Sequence, residues 1–123
     1  AMGAAKAVLV SDDALAGAGA LDTAKVLAAA IRRVEGADLV ITGEGELDDT
    51  SFRGKVVGGI VSIASESDIP VVAIVGSIAP GTVWPDHAFD VVSLVERFGE
   101  QAAFGQPKQC IERAASDWLA AAR

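Results

Sequence analysis

An α/β fold of three layers, with helices on both faces of a four-stranded parallel sheet, is predicted by two features of the sequence. Short apolar runs alternate with segments whose apolar residues recur at helical spacing. That alternation builds parallel sheets with crossover helices. One run, Val71-Val-Ala-Ile-Val75, is continuous rather than alternating, as in a strand buried on both faces.

The elements follow in order. Ala7 to Val10 is an apolar run stopped by Ser11-Asp12-Asp13 and reads as the first strand. Ala14 to Ala20 is rich in alanine and glycine without a period, hence a loop. Asp22 or Thr23 caps a helix carrying Val26, Leu27, Ala30, Ile31 and Val34 on one face. Arg32 and Arg33 suit its last turn, and Gly36 ends it. Leu39 to Ile41 is the second strand. A second helix spans about Lys55 to Ser65, and its Gly58 and Gly59 imply close approach to the sheet. Val71 to Val75 is the third strand, ending at Gly76-Ser77. Pro80, Gly81 and Pro85 make Ile78 to Ala88 a loop over the same sheet edge. Phe89 to Val95 contains the fourth strand, centred on Val91-Val92. Glu96 to Gln106 is mixed, with one short helical turn. Pro107 opens a last helix with Ile111, Ala114, Ala115, Trp118 and Leu119 on one face. The order is Rossmann-like and fits one domain over residues 1–123.

Composition narrows the function classes. A net charge of −7 disfavours nucleic acid and anionic membrane surfaces. No apolar run has the length of a membrane span, and no leader sequence is visible. The lone Cys110 makes no internal disulfide, which suits a reducing cytoplasm. There is no Tyr and one His, so acid or base chemistry rests on carboxylates and lysines.

The most informative stretch runs from Ala37 to Lys55. After the strand come Gly43 and Gly45 with Glu44, Glu46, Asp48 and Asp49, then Gly54-Lys55 at a helix start. Strand, glycine-rich loop and helix can present backbone N–H groups to a phosphate at the carboxyl end of a parallel strand. Neither GxxxxGK[ST] nor GxGxxG occurs. A solvated βα loop, with glycines for turn geometry and acids for solubility, accounts equally for these residues. Asp48 and Asp49 have the oxygen chemistry for Mg²⁺ or for capping the next helix. Lys55 is either a point charge for a phosphate or an exposed first-turn lysine. His87 reads as a surface loop residue, Trp84 and Phe89 as packing, and Cys110, within a helix, as inert.

Residues Ala37 to about Leu119 resemble the C-terminal part of bacterial two-domain glycerate kinases. The resemblance rests on Ala37-Asp-Leu-Val-Ile-Thr-Gly-Glu-Gly-x-Leu-Asp48, Ser51-Phe-Arg-Gly-Lys55, Pro70-Val-Val-Ala-Ile-Val-Gly76 and Val91-Val-Ser-Leu-Val-Glu-Arg-Phe-Gly99. It implies phosphorylation of glycerate from ATP with Mg²⁺. It also implies catalytic roles for Asp48 and Lys55, and metal binding at Asp48 and Asp49. Gly43, Glu44, Gly45, Thr50, Ser51 and Gly54 then belong to the nucleotide and substrate cleft. Ser11 and Asp12, with Gly76 and Ser77, join them if their strands are parallel neighbours.

Two departures qualify the resemblance. Position 46, commonly Arg in this family, is Glu46. The family's opening strand with Asp-Ser-Phe-Lys-Gly and its inserted second domain have no counterpart in the sequence. The expectation is therefore part of a kinase, inactive alone. Residues Met2 to about Glu35 resemble instead the beta subunit of electron transfer flavoproteins, through Met2-Gly-Ala-x-Lys-Ala-Val-Leu-Val-Ser-Asp12 and Ala20-Leu-Asp-Thr-Ala-Lys-Val-Leu-Ala-Ala-Ala30. That implies an AMP-binding module as the alternative, or a scaffold without ligand. A change of family near Gly36 implies a recombined or engineered chain, as against a natural kinase fragment. A homodimer is expected, joined through the Ala-rich opening and the last helix around Trp118 and Leu119.

Overall fold

The structure, a computed structural model, describes residues 36–52, 56–83 and 89–121. In order they form β1 (Val40–Leu47), a 3-10 helix (Asp49–Phe52), α1 (Val56–Glu66), β2 (Val71–Ile78) and β3 (Asp90–Ser93). Three helices follow: α2 (Leu94–Phe98), α3 (Glu100–Gly105) and α4 (Pro107–Ala121). The strands make a sheet of order β1-β2-β3. Both pairings are parallel, with Val40 opposite Val71 and Ala73 opposite Val91. The α/β class and the parallel sheet agree with the sequence reading. Among the described residues the sheet has three strands, not four. The expected strand at Ala7 to Val10 and the helix before Gly36 lie outside the described residues.

β2 is the middle of the sheet and divides the core in two. Val71, Ala73 and Val75 pack with Leu47, Val57, Ile60, Val61 and Ala64, so α1 covers that face. Val72 and Ile74 pack with Leu94, Ala103, Cys110, Ala114 and Ala115, so α2, α3 and α4 cover the other. Burying a valine side chain completely is worth about 1.5–3 kcal/mol, and Val72 and Val75 are fully buried. No helix among the described residues is long and apolar enough to cross a membrane.

Three local assignments change. β1 runs to Leu47, so Gly43, Glu44 and Gly45 are strand residues rather than loop. Pairing with the buried β2 overrides the poor strand propensity of Gly and Glu. Glu96 to Gln106 carries α2 and α3 rather than a single turn. Ser93 caps α2 by accepting from the Glu96 amide at 3.3 Å, and Gly99 at φ 88° separates the helices. On α4 the buried residues are Cys110, Ala114 and Ala115, while Ile111 is 45% exposed.

The helix ends carry their own signals. α1 closes with Asp68 at φ 55°. The Asp68 amide donates to the Ser65 carbonyl at 3.2 Å and the Ile69 amide to the Ala64 carbonyl at 2.9 Å. This is the Schellman pattern, with Ile69 packed on the α1 core as its hydrophobic contact. Trp118, half-buried near the end of α4, donates from Nε1 to Asp90 Oδ2 at 2.9 Å. It therefore ties α4 to the start of β3 and is not the open surface expected of it.

Candidate functional site

The carboxyl ends of β1 and β2 are neighbours. Glu44 lies opposite Val75 and Glu46 opposite Ser77. Between these pairs the two chains pinch: a Cβ on Gly76 would stand 2.5 Å from the Gly45 carbonyl oxygen. Glycine is required there because backbone meets backbone. Beyond the pinch the packing changes phase. Leu47 and Ile78, rather than Glu46 and Ser77, join the α1 core. Ser77 Oγ donates to Glu46 Oε2 at 3.5 Å on the exposed side.

Asp48 organises the turn that follows β1. Its Oδ1 accepts from the Thr50 amide at 2.8 Å, the Thr50 hydroxyl at 2.5 Å and the Ser51 amide at 3.2 Å. In return the Asp48 amide donates to Ser51 Oγ at 3.0 Å. The exchange is reciprocal, as in a capping box, and starts the 3-10 helix. Ser51 is completely buried. Gly58 of α1 makes room for this turn: a Cβ there would sit 2.5 Å from the Ser51 carbonyl oxygen and 2.7 Å from Phe52 Cα. The close approach expected at Gly58 is thus to the turn, not to the sheet.

The loop after β2 is fastened to the same turn. The Ala79 amide donates to the Leu47 carbonyl at 2.8 Å. Thr82 Oγ1 donates to the Ala79 carbonyl at 2.6 Å. The Val83 amide donates to Asp49 Oδ1 at 2.6 Å. Neither Thr82 nor Val83 stands out in the sequence. A threonine just after Pro80-Gly81 was the available signal, since such hydroxyls close turns.

These contacts alter the chemistry read from the sequence. The amides of Thr50, Ser51 and Val83 serve the carboxylates of Asp48 and Asp49, so residues 48–52 are a clamped turn rather than an open anion cradle. The described acidic residues form no group of three or more that could hold a metal ion. A Mg²⁺ at this edge would therefore need phosphate oxygens for much of its shell. Gly54 and Lys55, like Ser11 and Asp12, lie outside the described residues. The structure thus brings together Gly45, Glu46, Asp48, Asp49, Thr50, Ser51, Gly76 and Ser77. Gly43 and Glu44 stand further back along β1.

Two substitutions test this turn. Gly58→Ala gains about 1 kcal/mol of helix propensity but drives a methyl into the Ser51–Phe52 backbone, so a net loss of about 1–3 kcal/mol is expected. Asp48→Ala removes the cap and should lose about 1–2 kcal/mol. Urea unfolding measures both. An unchanged midpoint for either would contradict the clamp.

Similar proteins agree with one another. A match to the family described as "Glycerate kinase family" covers residues 1–122. A glycerate kinase of Bacillus cereus is 47% identical over 49 residues, which are 40% of this chain and 13% of that protein. One of Halalkalibacterium halodurans is 37% identical over 87 residues, 67% of this chain and 22% of the relative. A glycerate 2-kinase of Escherichia coli is 38% identical over 66 residues, 54% of this chain and 15% of the relative. The chain therefore matches well under a third of the length of these relatives. The family match runs through residue 36 without a break. It overturns the change of family there, and neither a chimera nor the flavoprotein resemblance of the first 35 residues is supported. Over residues 1–122, the chain belongs to the glycerate kinase family.

Proposed function

We propose that this chain is the part of an ATP-dependent glycerate kinase that lines the nucleotide and glycerate cleft. The observation that carries the reading is the joining of the β1 turn and the β2 loop at one carboxyl edge, where open α/β sheets receive ligands. Thr50, Ser51, Gly76 and Ser77 shape that edge, and Asp48 and Asp49 hold it. Phosphate binding falls to Gly54 and Lys55, between the 3-10 helix and α1 in the sequence. Any Mg²⁺ arrives with the phosphates, touching Asp48 or Asp49 at most as one ligand among several. A reducing, cytoplasmic setting suits the free Cys110.

Phosphoryl transfer needs converging groups, positive charge above all. The described cations, Arg97, Lys108 and Arg113, stand on α2 and α4, and Arg97 and Arg113 both pair with Asp117. With Lys55 as the cation assigned to the phosphates and the described cations placed elsewhere, the chain by itself is expected to bind nucleotide weakly and to turn over glycerate negligibly. A melting titration with ATP and AMP, with and without Mg²⁺, should show a rise of a few degrees at ~10 mM Mg-ATP. No shift with any nucleotide would contradict binding. In a coupled assay of ADP release with glycerate, turnover near one per second that is abolished by Asp48→Asn would contradict inactivity.

A homodimer also fits, through Phe104, 71% exposed, and Ile111 rather than through Trp118. Sedimentation at rising concentration should show the dimer at high micromolar protein. A persistent monomer would rule it out.

A further inference from the structure

β1 is covered on one face only. From Val40 to Gly45, half-buried and exposed residues alternate. Val40 packs on the core under α1, and Thr42 and Glu44 follow it on that face at strand spacing. Ile41, Gly43 and Gly45 take the other face and are exposed, Ile41 by 45%. Across the pairing, Ile41 stands beside Val72 and Gly43 beside Ile74. Those two residues of β2 are buried in the core under α2, α3 and α4. The helical layer on this side thus covers β2 and leaves Ile41 in water. Strands of a parallel sheet are ordinarily covered on both faces.

We propose that residues 22–35 of this chain fill that place, lying as a helix along the Ile41, Gly43 and Gly45 face of β1. The segment has an apolar side that needs cover: Val26, Leu27, Ala30, Ile31 and Val34 recur at helical spacing. It ends at Gly36, whose φ of 79° is the left-handed conformation that closes helices. Only Ala37, Asp38 and Leu39 then precede β1. A connection that short lays a helix back along the strand it feeds instead of sending it across the molecule. α1 already occupies the opposite face, so the bare one remains. Its floor suits an alanine-rich helix. Gly43 and Gly45 carry no side chains, and a Cβ on Gly45 would meet nothing within 4 Å. Backbone can therefore approach backbone closely there. A second copy of the chain has no such tether to β1.

Methyl NMR of the full chain, labelled at Ile, Leu and Val, tests the proposal. Nuclear Overhauser contacts are expected from the Ile41 side chain to Leu27, Ile31 or Val34. Mixing labelled with unlabelled chains separates contacts within a chain from contacts between copies. An Ile41 with no contact to the segment overturns the proposal, and so do contacts that arise only between copies. Urea unfolding supplies a second readout. Ile41→Asp and Ile31→Asp should each lower the midpoint, and the double variant should lower it by less than the sum, because residues in one contact do not add. Additive losses, or an Ile41→Asp midpoint equal to that of the wild type, overturn it. Should an aspartate variant fail to fold, the wild-type contacts still decide. Neither readout involves nucleotide or glycerate, so this inference and the proposed function stand or fall separately.

Discussion

Five consecutive buried residues, Val71 to Val75, hold the described structure together. They form the middle strand of the sheet, so their amides and carbonyls pair with β1 on one side and β3 on the other. Their side chains alternate between two cores, one under α1 and one under α2, α3 and α4. A strand so enclosed leaves its neighbours little choice of register, because a slip by one residue would exchange the two cores. The geometry of the carboxyl edge follows from that register. It sets Gly45 against Gly76 and Glu46 against Ser77, and it brings the two loops that leave the sheet into contact.

Much of this was legible in the sequence. The continuous run Val71 to Val75 can be little other than a strand buried on both faces. Val91-Val92 sits in β3 as expected, and Pro107 opens α4. What misled was propensity. Gly43-Glu-Gly-Glu46 has the composition of a loop, yet it is strand because β2 supplies partners for its backbone. On α4 Ala114, Ala115 and Trp118 pack on the core as expected, while Cys110 takes the place expected of Ile111, which is exposed. The division into α2 and α3 depends on the positive φ of Gly99, which composition alone does not announce.

The candidate site was legible in its location and not in its wiring. The sequence places acids after a strand, and the structure puts Asp48 and Asp49 in the turn after β1, with Gly43 and Gly45 inside the strand. The amides of Thr50 and Ser51 are taken by Asp48 Oδ1, and Gly54 and Lys55 lie outside the described residues. An aspartate at the first position of a tight turn takes the nearest amides for its own carboxylate. The acids of this edge therefore act first as structural groups. Among the described residues, Glu44 in the strand behind them is the acid with a buried oxygen that accepts no hydrogen bond.

The central claim is that the carboxyl edge of β1 and β2 is where nucleotide binds. Amide chemical-shift mapping of the ¹⁵N-labelled chain during titration with Mg-ATP tests it most directly. Perturbations concentrated at Gly45 to Phe52 and at Gly76 to Val83 are expected. Perturbations centred instead on the Phe98 to Gln106 face of the helices, with the turn around Asp48 unchanged, would contradict it.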